Sequence, residues 1–144
     1  MTFVIALLLF AYLGGNNYEA AVIDPPIIGS EWIAIDSVGM SITWQTRVDT
    51  LSVAMMLFVT FVGTLIHIYA MGYMHGDKRF YRFFAYLNMF LTFMLILVSA
   101  NNMLMMFVGW EGVGLCSYLL IGFWWDKPNG EGWKNSNAAR KAFN

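Results

Sequence analysis

Apolar residues along this chain are gathered into four runs separated by polar breaks. The first run, residues 1–13, would form a helix about 20 Å long at 1.5 Å per residue, short of the roughly 30 Å hydrocarbon core of a bilayer. It reads as a short or partial transmembrane segment. A secretory signal peptide competes with that reading, although no Lys or Arg precedes the run and no small-residue cleavage site follows it. Residues 14–50 are polar and irregular, with Pro25-Pro26 and several glycines as breakers and strand-like alternation between Trp32 and Trp44. This is an acidic extramembrane loop. Residues 51–71, 83–100 and 103–125 then form three runs of transmembrane length. In lipid every backbone amide must find its partner inside the segment, so these runs are helices. Asn101-Asn102 is a tight turn, which makes the second and third spans antiparallel neighbours. Beyond Trp125 a Gly- and Asn-rich loop leads to Ser136 or Asn137, either of which suits the N-cap of a short helix over Ala138 to Phe143. The predicted fold is an all-α, polytopic transmembrane helical bundle of three full spans plus one short N-terminal apolar segment.

Composition agrees with this picture and narrows the function. Hydrophobic residues make up 59% of the 144 and charged residues 12%, well below the roughly one-quarter charged share of soluble domains. The 11 methionines and the many aromatic residues read as lipid-facing bulk and interfacial belt, Trp124-Trp125 especially. A net charge of −1 with no clustered basic surface excludes nucleic acid as a partner. The single cysteine, Cys116, builds neither a disulfide framework nor an iron–sulfur site, and no His/Cys pair has zinc-ligand spacing, so neither a metal nor a redox cofactor is expected in this chain.

Charge also sets orientation. The 14–50 loop carries Glu19, Asp24, Glu31, Asp36 and Asp49 against Arg47, a net −4. Residues 72–82 carry Lys78, Arg79 and Arg82 against Asp77, a net +2, and the basic tail after Trp125 also nets +2. Three spans put the acidic loop and the Asn101-Asn102 turn on one side and both basic segments on the other, which by the Lys/Arg bias is the cytoplasmic or matrix side.

Within the spans, Glu111 carries the strongest chemical signal. A carboxylate near the middle of a span costs about 2.5–3.5 kcal/mol on insertion scales, so a structural or functional partner must offset it. Gly114, Tyr118 and Gly122 follow at i+3, i+7 and i+11, and Gly109 and Gly112 thin the helix beside it, so close packing of another helix is expected at Gly109, Gly112 and Gly114. An ion or proton relay and a protonated acid hydrogen-bonded to a neighbouring helix both fit. His67, on a stripe with Thr60, Gly63 and Thr64, is a relay candidate or an interfacial anchor. Asn88, Thr92 and Ser99 form a third polar stripe of the kind that glues helices together.

The run Leu104-Met-Met-Phe-Val-Gly-Trp-Glu-Gly-Val-Gly-Leu-Cys-Ser-Tyr-Leu-Leu-Ile-Gly-Phe-Trp-Trp125 closely resembles the fifth-helix signature of subunit 5 of NADH:quinone oxidoreductase (respiratory complex I). Leu65-Ile-His-Ile-Tyr-Ala-Met-Gly-Tyr-Met74 and Arg82-Phe-Phe-Ala-Tyr86 resemble its preceding block, in continuous register from Arg47 to Phe143. Subunits of multi-subunit cation/proton antiporters share the Trp-Glu core and supply the alternative function, but their motif usually lacks the Gly-Val-Gly that follows Glu111 here. The resemblance implies a non-redox, proton-translocating membrane-arm subunit of NADH:ubiquinone reductase, in the mitochondrial inner membrane or a bacterial plasma membrane. Flavin, iron–sulfur clusters and quinone would be held by other subunits. It also implies that Glu111 pairs with a lysine on a later helix, and that Asp49, His67, Tyr73 and Arg82 lie in and around the proton path. The family has two helices before the acidic loop and many after the matched region. The partners implied are therefore other membrane-arm subunits, lipid, and companion polypeptides carrying the rest of subunit 5, the lysine included.

Overall fold

The structure, a computed structural model, describes residues 2–15, 31–125 and 136–141. Its elements are α1 (Thr2–Gly15), β1 (Glu31–Ile35), β2 (Met40–Thr43), α2 (Thr50–Tyr73), α3 (Phe80–Ser99), α4 (Met103–Ile121) and α5 (Ser136–Arg140). Helices α2, α3 and α4 hold 24, 20 and 19 residues and are long and apolar enough to cross a membrane. At 1.5 Å per residue they reach roughly 36, 30 and 28 Å. Glu19 and Asp24 of the acidic loop, and residues 126–135 of the tail, lie outside the described residues.

Capping decides where two of the spans begin. Asp49 is the N-cap of α2, its Oδ1 accepting from the Ser52 backbone N–H over 2.8 Å while the Ser52 hydroxyl accepts from the Asp49 N–H, also over 2.8 Å. This reciprocal box satisfies two of the donors a helix start leaves open. Asn102 caps α4 in the same manner, accepting from the Met105 N–H over 2.9 Å. Between α2 and α3 the chain turns through Gly76, whose φ of 81° lies in the left-handed region that favours glycine.

The alternation between Trp32 and Trp44 is an antiparallel hairpin, the one departure from all-α architecture among the described residues. Ile35 pairs with Met40, Ala34 with Ser41 and Ile33 with Ile42, and a bulge follows toward Glu31. Gly39, at φ 64°, closes the turn. A two-stranded hairpin is marginal alone; here it is tied to the α3–α4 turn. Asn102 Nδ2 donates to the Thr43 carbonyl over 2.8 Å, Asn101 Nδ2 to Gln45 Oε1 over 3.1 Å, and the Arg47 N–H to the Ser99 carbonyl over 2.8 Å.

Helix α1 runs antiparallel to α2, with Leu13 in a small core beside Val48 and Val53 and the Phe3 ring 5.6 Å from that of Phe61. It therefore covers only the half of α2 nearest the hairpin. Glycines bring the spans together: a β-carbon added at Gly63 would lie 2.7 Å from Leu91 of α3, and one at Gly109 2.8 Å from the Leu97 backbone. One at Gly112 would enter the Phe93 ring. Backbone-to-backbone approach of this kind is how helices associate in lipid, where no hydrophobic difference between side chain and solvent drives them together.

The polar side chains of the stripes on α2 and α3 bond within their own helices. Thr60, Thr64, Asn88, Thr92 and Ser99 each donate to the carbonyl four residues back on their own helix, over 2.6–2.9 Å. A hydroxyl or amide in an apolar setting must find an acceptor, and the carbonyl one turn back is the nearest. The glue expected from Asn88, Thr92 and Ser99 is replaced by local satisfaction.

Candidate functional site

Glu111 is the ninth residue of the 19 in α4, at the centre of a membrane-length helix. It is exposed, and among the described residues its carboxylate has neither a hydrogen bond nor an ion pair. Beside it on the uncovered face stand Gly114, with nothing within 4 Å of an added β-carbon, Leu115 and Tyr118. The opposite face, with Met105, Gly109, Gly112 and Cys116, is buried, and its two glycines meet α3. The close packing of another helix expected at Gly109, Gly112 and Gly114 is seen at the first two, where the helix is α3, while nothing of the described residues lies beside Gly114. Glu111 lies two positions beyond Gly109, about 200° around a helix of 3.6 residues per turn, so the two cannot share a face. The first two glycines serve packing within the chain, and Gly114 lies on the open side.

His67 is half-buried on α2. Its Nδ1 lies 2.7 Å from the Gly63 carbonyl, and since a carbonyl only accepts, Nδ1 carries the proton. Nε2 is buried without a partner, and the ring lies 5.9 Å from that of Phe84. In this orientation neither nitrogen is open to a proton donor or acceptor.

The other positions lie at the ends of the spans. Asp49 pairs with Arg47, Oδ2 to Nε 3.2 Å, and its pKa is lowered, chiefly by the Ser52 backbone N–H, which outweighs the upward push of burial, with the Ser52 hydroxyl and Arg47 adding lesser downward contributions. Sequence inspection missed its capping role, although Asp-x-x-Ser before an apolar run is the signal. At the opposite end Tyr73 closes α2, its ring stacked on that of Tyr69 at 5.8 Å and tilted against that of Trp124 at 6.0 Å. Arg82, in the first turn of α3, donates from Nε to the Tyr86 hydroxyl over 2.6 Å. The structure does not bring Glu111, His67, Asp49 and Arg82 into one cluster, and no group of three potential metal ligands exists among the described residues.

Comparison with known proteins supplies what this geometry lacks. Residues 32–84 match the family described as NADH-ubiquinone oxidoreductase (complex I), chain 5 N-terminus, and residues 100–143 match NADH:quinone oxidoreductase/Mrp antiporter, TM. The chain is 44% identical over 127 residues to NADH-ubiquinone oxidoreductase chain 5 of Cryphonectria parasitica, covering 88% of this chain and 18% of that protein. It is 45% identical over 138 residues to NADH-quinone oxidoreductase subunit L of Mycobacterium tuberculosis, covering 96% and 20%. The chain belongs to the chain 5/subunit L family of NADH:quinone oxidoreductase. Subunit L of Rickettsia bellii is similar to it at 42% identity over 138 residues, covering 96% and 20%. The chain spans about a fifth of the length of these chain 5 and subunit L relatives. Asp49, His67, Tyr73 and Arg82 fall within the chain 5 match, and Glu111 with its glycines within the antiporter-type match.

Proposed function

We propose that this chain is a proton-translocating membrane component of NADH:quinone oxidoreductase in which Glu111 is the group that takes up and releases the proton. One observation carries this: a lone carboxylate stands at the centre of a membrane-length helix on the face the chain leaves uncovered. An ionised acid there is expensive in hydrocarbon unless a counter-charge or a hydrogen-bond donor meets it. The counter-charge is a lysine on a helix outside this chain, approaching over Gly114 and Tyr118. Its approach favours the carboxylate and its withdrawal favours the acid, so movement of the cation drives the proton on and off.

Asp49 at one end of the bundle, and Tyr73 and Arg82 at the other, stand where a path would open to either side. His67 joins such a path after its ring turns away from the Gly63 carbonyl. Flavin, iron–sulfur clusters and quinone belong to other subunits, and the partners are other membrane-arm subunits. The compartment is the mitochondrial inner membrane or a bacterial plasma membrane.

The Glu111→Gln variant keeps shape and hydrogen bonding but cannot ionise. In the assembled complex it lowers proton pumping and coupled quinone reduction at least about tenfold, the scale of a lost acid–base group. Undiminished pumping by an assembled variant refutes the relay. The antiporter-type match over residues 100–143 favours a second reading, a subunit of a cation/proton antiporter. Flavin and iron–sulfur subunits purifying with the chain decide for the oxidoreductase; their absence, with cation-dependent proton exchange, decides for the antiporter.

A further inference from the structure

At the basic end of the bundle, where α3 begins and α4 ends, lies a cavity of about 120 Å³ between the two helices. Two guanidinium groups, Arg79 and Arg82, line it together with Tyr86, Tyr118, Gly122 and Trp125, and no carboxylate of the described residues does. Both arginines are held in place. Arg82 donates from Nε to the Tyr86 hydroxyl over 2.6 Å, with its Cζ 5.5 Å from the centre of that ring. Arg79 places its Cζ 5.0 Å from the centre of the Phe123 ring. These contacts fix the stems and leave the terminal nitrogens of Arg82 without a partner among the described residues. The described carboxylate of the α2–α3 turn, Asp77, accepts from the Arg79 N–H over 2.9 Å and from the Trp124 indole over 3.4 Å.

An oriented guanidinium fork beside a second cation matches a phosphate group, which accepts two parallel N–H bonds from one arginine. The level of the cavity selects the source of that phosphate. Trp125, 53% exposed, lines it, and Tyr81, 86% exposed, lies in the same first turn of α3 as Arg82, aromatic residues of the kind that mark a membrane–water boundary. The uncovered apolar flanks of the spans begin immediately inside it. A molecule with a phosphate head and acyl chains satisfies both surfaces at once, and basic pockets between spans on the cytoplasmic or matrix side recognise such heads.

We propose that this cavity binds the phosphate of an anionic phospholipid, with Arg82 as the fork and Arg79 as the second cation. The proposal requires the three spans and their orientation, and is independent of the role of Glu111.

The test uses the membrane assembly containing this chain, reconstituted in nanodiscs with a photoactivatable phosphatidylglycerol, the labelled residues being mapped by mass spectrometry. Labelling is expected at residues 79–86 and 118–125. It should fall roughly fivefold for each arginine replaced in Arg79→Gln and Arg82→Gln. Tyr86→Phe keeps both charges and the packing while releasing the fork, so a fall of about twofold there supports the site even if the arginine variants fail to assemble. Arg47→Gln, at the other end of the bundle, should leave labelling unchanged. Equal labelling by a photoactivatable phosphatidylcholine, or labelling indifferent to the Arg82 and Tyr86 substitutions, overturns the proposal. Displacement of the lipid by millimolar inorganic phosphate reassigns the cavity to free phosphate and overturns the lipid assignment.

Discussion

Replacing Gly109 by alanine tests the packing that turns Glu111 toward the open face. The added β-carbon would lie 2.8 Å from both the Leu97 Cα and N, atoms that cannot swing aside as a side-chain tip can. Restoring ordinary contact at 3.4–4 Å requires α3 and α4 to separate locally by roughly 0.6–1.2 Å, and a gap of 0.5–1 Å already forfeits a quarter to a half of each dispersion contact along the seam. Overpacking of this kind costs about 1–3 kcal/mol, and in lipid no hydrophobic gain offsets it. Gly114→Ala supplies the control on the same helix. Nothing among the described residues lies within 4 Å of its added carbon, and alanine favours the helix by up to about 1 kcal/mol over glycine. The assay is the chain's abundance in membranes together with the thermal midpoint of the purified assembly. Gly109→Ala should lower both, while Gly114→Ala should leave the α3–α4 packing undisturbed even where it unseats the outside helix proposed to approach over Gly114. In that event loss of the assembly's cohesion should leave an intramolecular cysteine cross-link between α3 and α4 intact. If Gly109→Ala matches wild type in abundance, midpoint and cross-linking, the close approach at Leu97 does not exist and the assignment of the two faces of α4 fails.

Removing the α2 cap by Asp49→Ala should cost about 1 kcal/mol of stability. Because the folded-state pKa of Asp49 lies below the ordinary aspartate value of 3.8, its contribution is present above that value and disappears as pH falls through the lower folded value, so wild type and variant should converge only in strong acid during pH-dependent unfolding. Asn102→Ala loses both the α4 cap and the bond to the Thr43 carbonyl, about 1 kcal/mol each; limited proteolysis should then cut the hairpin several-fold faster, and an unchanged cleavage rate would argue against the tether. A cysteine at Lys78 should react with an impermeant maleimide only from the cytoplasmic or matrix side of sealed vesicles, and one at Val38 only from the other. Labelling of both from the same side would overturn the orientation.

Several features of this protein were legible in its sequence because the bilayer imposes them. Lipid demands about 20 consecutive apolar residues per span and satisfied backbone amides, so the number and approximate limits of α2, α3 and α4 follow from composition alone. The depth of Glu111 follows from its distance along α4, and the hairpin from alternation between Trp32 and Trp44. The azimuth of each helix is different in kind. Periodicity shows that Glu111, Gly114 and Tyr118 share one stripe and Gly109, Gly112 and Cys116 another, but which stripe meets α3 depends on the shape of the opposing surface. Only the fit of Leu97 and Phe93 against the glycines decides it. The same limit applies to polar side chains: spacing places Thr60, Thr64 and His67 on one face, while the tertiary structure shows each bonded to its own helix. The cavity at Arg79 and Arg82 needed α3 and α4 laid side by side, since its lining comes from segments more than thirty positions apart in the chain. Local chemistry and the solvent thus fixed the elements; contact between elements decided which faces remain free to act.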